Sequence, residues 1–142
     1  MTQSWIIVAN ASNAKIYQAP RATLLNGRSH LKLVKTLTHP ESRKKEGELT
    51  ASNSGHGNIP ESANPKLQEH KIFAKEIVNE IEEARKTQDF DDIIISAPAA
   101  FLGHMKQQMS NCVKTLISTT IEKDYTQCDE SQLNNHIGDN LR

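Results

Sequence analysis

The chain has 142 residues, with 17 Lys+Arg balancing 17 Asp+Glu, so its formal net charge is zero. That length predicts a single domain over residues 1–142, able to bury about 70% of its unfolded surface without a metal or disulfide staple. Electroneutrality excludes holding DNA or RNA by bulk charge and leaves only local basic patches for such work.

Trp5-Ile6-Ile7-Val8-Ala9 is a short apolar run rich in β-branched residues, and Asn10-Ala11-Ser12-Asn13 closes it as a turn. Ala14–Gln18 reads as a second strand, making a hairpin. Pro20–Gly27 is the next connection, and Leu31–Thr38 a third strand with Leu31, Leu33 and Leu37 on one face. Lys35 interrupts that alternation. From His39 to Asn64 no period survives, and the segment contains Pro40, Gly47, Gly55, Gly57 and Pro60. A structureless loop of this length is functional or disordered.

Asn64-Pro65 predicts a helix start, with Asn as cap and Pro at the first helical position. Leu67, Ala74, Ile77, Val78, Ile81 and Ala84 form its apolar stripe, and Arg85 and Lys86 suit its C-terminal dipole. Ile93-Ile94-Ile95 is a fully apolar fourth strand ending at Ala97-Pro98. Phe101, Leu102, Met105, Met109 and Cys112 mark one second helix. Ser118–Lys123 is a fifth strand, and a final helix is capped at Thr126, with Asp129 completing a capping box and Gly138 ending it.

Strands one and four, apolar on both faces, belong in the centre of a sheet, and polar strands three and five at its edges. Hairpins and right-handed crossovers then give the order 3-2-1-4-5. The expectation is an α/β domain with a five-stranded mixed sheet and three helices, in the ribonuclease H-like topology.

A nuclease of that topology needs clustered carboxylates on its central strands to hold divalent metal. The first strand has no acid, and Asp91-Asp92 precede the fourth strand instead of ending it. The six histidines lack zinc-ligand spacing: His56 and His70 are far apart, and His104 has no second ligand at i+4. No GxSxG, Walker or GxGxxG motif occurs. No metal and no cofactor is therefore expected. Cys112 and Cys128 read as ordinary reduced residues. No run approaches the ~20 apolar residues of a membrane span, and the first residues lack signal-peptide character, so the expectation is a cytoplasmic protein without membrane insertion.

Two constellations in the long loop carry chemistry. In His39-Pro40-Glu41-Ser42-Arg43-Lys44-Lys45, the three cations suit phosphate and His39 suits acid, base or donor work. Glu46 and Glu48 partly cancel the charge, which is also the pattern of a solvated surface run. In Ser54-Gly55-His56-Gly57-Asn58, glycines flank a polar side chain, so a backbone can approach a ligand closely. The candidates are His39 and His56 for catalysis, Arg43, Lys44, Lys45 and Asn58 for RNA or phosphate, and Gly55 and Gly57 as the loop tip.

Several of these strings resemble the bacterial family named "protein required for attachment to host cells". They are Trp5–Asn10 with Ala14–Tyr17, His39–Arg43 with Glu48-Leu49, Phe73-Ala74, Ala97-Pro98, Phe101-Leu102-Gly103, and Lys123-Asp124 with Thr126. The likeness runs almost end to end, and the His-Pro-Glu-Ser-Arg string is its most specific piece. The family is similar to the central domain of archaeal and eukaryotic peptide-chain release factors, whose Gly-rich loop reaches the ribosomal peptidyl-transferase centre. The resemblance thus implies either a role at a host-cell surface or a module binding the ribosome or peptidyl-tRNA through residues 39–58.

The chain departs from the family's pattern at two places. Ala51–Gly57 stands where an Asp-Arg-Pro-Gly-Arg-like string is usual, and Ala99-Ala100 stands where Pro-Arg is usual. There is no Gly-Gly-Gln. Enzymatic activity is not expected. Were one present, the resemblance implies peptidyl-tRNA hydrolysis, and a hydrolase using His39 with Glu41 is the remaining alternative.

Overall fold

A computed structural model describes residues 2–25, 30–39, 65–87 and 89–141. These fold around one open five-stranded sheet in the order β3-β2-β1-β4-β5, the expected order. The strands are β1 (Gln3–Ala9), β2 (Asn13–Pro20), β3 (Lys32–Thr38), β4 (Asp92–Ser96) and β5 (Ile117–Ile121). The described helices are α1 (Arg21–Leu25), α2 (Pro65–Lys86), α3 (Ala99–Gln108), α4 (Asn111–Leu116) and α5 (Glu130–Leu141). β1 pairs antiparallel with β2 and parallel with β4, while β3 is antiparallel to β2 and β5 parallel to β4. The mixed sheet fits the ribonuclease H-like label.

The two faces of β1 feed two cores. Trp5, Ile7 and Ala9 pack with Ile93, Ile95 and the α2–α4 layer, while Ile6 and Val8 pack with Ile94, Leu24 and α5. A strand between two layers can be apolar at every position, which is why this run shows no alternation. The α2 stripe is Phe73, Ala74, Ile77, Val78, Ile81 and Ala84, all buried. Trp5 lies against Phe90 with ring centroids 4.8 Å apart, in the separation range favourable for aromatic pairs.

Five described helices replace the expected three, for two local reasons. Pro20 ends β2, and Arg21–Leu25 forms a short helix that buries Leu24 where only a connection was expected. The stripe from Phe101 to Cys112 is broken at Met109, whose backbone is extended (φ −80°, ψ 141°). Ser110 then caps α4, its hydroxyl accepting from the Val113 N–H at 3.2 Å, while Glu82 of α2 binds the Ser110 N–H and hydroxyl at 3.0 and 3.1 Å. Met109 and Val113 are buried while Cys112, expected on the apolar stripe, is exposed.

Other boundaries also move. The capping box of the last helix lies at Asp129 and Gln132, each side chain accepting the other's backbone N–H at 2.8 and 3.0 Å, instead of at Thr126 and Asp129. Gly138 lies inside α5, buried, and does not end it. β5 spans Ile117–Ile121, so Lys123 follows the strand. In β3, Ile16 faces Lys35 but Tyr17 faces Leu33, leaving Val34 as an extra residue. This bulge puts Leu31 in the α5-side core and Leu37 against the α2-side core, so the two do not share a face. Leu33, expected on the apolar face, is 52% exposed.

Candidate functional site

β1, β4 and β5 run parallel, so their carboxyl ends share one edge of the sheet. From β1 the chain turns to β2 on one side, and from β4 it crosses to β5 on the other. The gap between the ends of β1 and β4 is therefore a topological switch point, where open α/β sheets characteristically place ligands.

Asn10 follows β1 at this point. Its Oδ1 accepts from the Ser12 and Asn13 N–H groups, both at 2.8 Å, closing the turn into β2. Its Nδ2 donates to Asp124 Oδ2 and to Thr126 Oγ1, both at 3.0 Å. Asp124 Oδ1 also accepts from the Thr126 N–H at 2.9 Å and the Thr126 hydroxyl at 2.6 Å. Partial burial disfavours the Asp124 carboxylate, but the hydrogen bonds from Thr126 and Asn10 outweigh it and hold its pKa below the usual aspartate range. Lys15 donates to the Thr126 carbonyl at 3.5 Å, and buried Ser96, the last residue of β4, donates to the Lys123 carbonyl at 2.6 Å. One asparagine thus joins the β1–β2 turn to the segment after β5. An ionised, exposed carboxylate stands at the switch point.

His39 lies on the same edge. Its N–H donates to the Ser12 carbonyl at 3.0 Å, tying the end of β3 to the β1–β2 turn. Its Nε2 forms a 2.6 Å hydrogen bond with Glu69 Oε2 on the first turns of α2. Its Nδ1 is 4.0 Å from Glu76, and the ring stacks on Phe73 with centroids 5.2 Å apart and planes at 26°. Phe73 continues the contact to Phe101. The side chain is 8% exposed. His39 is thus a buried strut between β3 and α2. Nearby, His70 has its pKa lowered by partial burial and by repulsion from Lys66, His104 and His39.

The remaining sequence candidates, Arg43, Lys44, Lys45, His56 and Asn58 with Gly55 and Gly57, lie outside the described residues. Glu41, proposed as a partner of His39, lies there too, and the carboxylates that His39 meets are Glu69 and Glu76. Asp91 and Asp92 are at the opposite edge. Asp92 accepts from Arg21 at 2.6 Å and Ser118 at 2.8 Å and also binds Ser4, while Asp91 takes the Gln3 N–H. Among the described residues, no group of three or more His, Cys, Asp or Glu has the geometry to hold a metal ion. No described helix is long and apolar enough to cross a membrane.

Asn10, Asp124 and Thr126 were not among the sequence candidates, because residues more than a hundred positions apart leave no spacing signal. The available hints were local: an asparagine opening a turn, and an Asp two residues before a Thr.

An α/β domain with a polar cluster at its switch point is a broad class, and comparison narrows it. The model of the family described as "Protein required for attachment to host cells" matches residues 5–137, and the chain belongs to that family. No curated protein matches it. Among solved structures it is similar to one titled "Archaeal protein", at 15% identity and a TM-score of 0.48, covering 94% of this chain and 36% of that one. It is also similar to the Aquifex aeolicus Ppx/GppA phosphatase, at 14% identity and a TM-score of 0.39, covering 85% of this chain and 36% of that one. The chain thus spans about a third of the length of either neighbour.

Proposed function

We propose that the protein is a release-factor-like module that binds the ribosome or peptidyl-tRNA from the carboxyl edge of its sheet. Residues 40–64 are the recognition segment. The observation that carries this reading is where that segment is fastened. His39, the residue before it, is locked to Ser12 and Glu69, and Pro65, the residue after it, opens α2 only four positions before Glu69. One end is therefore tied to the β1–β2 turn that Asn10 closes, and the other begins one helical turn before the residue that His39 binds. Arg43, Lys44 and Lys45 follow the anchor within six residues and supply cations for phosphates. His56, between Gly55 and Gly57, and Asn58 are the groups that meet RNA. Zero net charge leaves attraction to local basic strings such as this one, so binding should depend on it strongly.

The test is cosedimentation of purified protein with ribosomes across a salt series. Binding should weaken with salt, and Arg43→Ala with Lys44→Ala and Lys45→Ala should lower the log–log slope by about 2–3, one phosphate per cation. Ribosome binding that ignores these substitutions would overturn the reading. The family description favours a second reading, contact with a host-cell surface. Binding of purified protein to intact host cells, without ribosome association, would establish that one instead.

A further inference from the structure

We propose that a cleft along β5, away from the switch point, binds a small organic phosphate monoester as its dianion. This assignment is independent of the RNA reading. The cleft has a volume of about 360 Å³ and is lined by Lys106 of α3, Lys114 of α4, and Ile117 and Thr120 of β5. That volume lies in the range of small-ligand pockets.

The sequence of β5 does not by itself put Ile117 and Thr120 on one face, since they are an odd number of positions apart. The register does so. Ile93 pairs with Ile117 and Ile94 with Thr119, so Ser118 is an extra residue and the side-chain alternation resets there. Ile117 and Thr120 consequently pair with Ile93 and Ile95, both of which face the α2–α4 core. Ser118 turns away, its hydroxyl donating to Asp92. β5 is also an outer strand of the sheet, so the cleft lies along an open edge.

Charge identifies the ligand. Among the described residues, Lys35 is paired with Glu80, Lys86 with Glu83, Arg21 with Asp92 and Arg85 with Glu82. Lys106 and Lys114 have no described carboxylate within 4.0 Å, and no described acidic residue lines their cleft. The cleft beside Arg85 differs, because Asp91 lines it too, and the cleft that Lys71 and Lys75 line with Ile72, Gln107 and Gln108 offers no hydroxyl. Two lysines lining one small volume favour a divalent anion over a monovalent one. A phosphate monoester carries up to two charges against a carboxylate's one, and lysine binds phosphate as a point charge, so the pair favours the phosphate. The Thr120 hydroxyl adds a neutral donor, and Ile117 offers an apolar wall to the organic part of the ester.

The test is a titration of the full-length, isotope-labelled protein with phenyl phosphate, followed by amide chemical shifts. Saturable shifts are expected in β5, the end of α3 and α4. Lys106→Gln with Lys114→Gln should weaken binding by at least about tenfold, and benzoate should bind at least about tenfold more weakly than phenyl phosphate. Affinity should also fall as pH drops through about 6, where the monoester loses its second charge. Both lysines are exposed, so the double variant should keep the parent spectrum elsewhere. No saturation, equal binding by the double variant, or equal binding of benzoate would overturn the assignment. So would displacement of phenyl phosphate by a single-stranded RNA oligomer at lower concentration, which would give these lysines to phosphodiesters.

Discussion

Asn10→Ala removes four hydrogen bonds with one truncation. Two are accepted from the Ser12 and Asn13 N–H groups at 2.8 Å, and two are donated to Asp124 and Thr126 at 3.0 Å. Each neutral bond contributes about 1 kcal/mol net, and the one to ionised Asp124 about 1.5–3 kcal/mol. Asn10 is half-buried and Asp124 exposed, so water will recover a good part of every share. The expected loss is therefore about 2–4 kcal/mol, a large fraction of the stability of a domain this size, with Tm falling by roughly 10 °C. Urea denaturation followed by circular dichroism measures it.

A double-mutant cycle with Asp124→Ala isolates the contact between the two and should give a coupling of about 1–2 kcal/mol. The pH dependence supplies an independent sign. The folded-state pKa of Asp124 is depressed from 3.8, so its stabilisation is present above that value and is lost as pH falls below it. Removing the Asn10 donor raises that pKa toward 3.8, and the acid-dependent loss attributable to Asp124 should shrink. A loss below about 1 kcal/mol, or no coupling, would refute the claim that Asn10 ties the switch point together.

Two further substitutions test the strut on the same edge. His39→Ala deletes the 2.6 Å bond to Glu69 and the stack on Phe73, and should cost about 2–4 kcal/mol by denaturation. If the loss is under about 1 kcal/mol, His39 does not fasten β3 to α2. For His70, the folded-state pKa is lowered from 6.5, so the unfolded chain takes up its proton first. Stability should therefore fall as pH drops from 6.5 toward the depressed value, and His70→Gln should flatten that part of the profile. An unchanged slope would show that another group dominates.

Much of the fold could be read from residue patterns because its determinants are local. A run such as Trp5–Ala9, apolar at every position, is stable only between two layers, and handedness rules then leave one order for five strands. The α2 stripe and the Pro65 start were legible for the same reason. Two of the differences arise where a neighbouring element changes the local answer. Glu82 of α2 holds Ser110 and so divides what the apolar period presents as one helix. The β2 register inserts Val34 as a bulge and sends Leu31 and Leu37 to opposite faces, although spacing alone puts them together.

The site divides along the same line. The resemblance of strings such as His39–Arg43 placed the chain in its family, because residue identities at adjacent positions survive as text. Asn10 with Asp124 and Thr126, and His39 with Glu69, come together only when elements from distant parts of the chain align. Sequence by itself thus determined the layers and their order, since burial period and chain handedness are properties of consecutive residues. Tertiary structure alone decided which polar groups meet, because hydrogen bonds and charges act over a few ångströms of space whatever their separation along the chain.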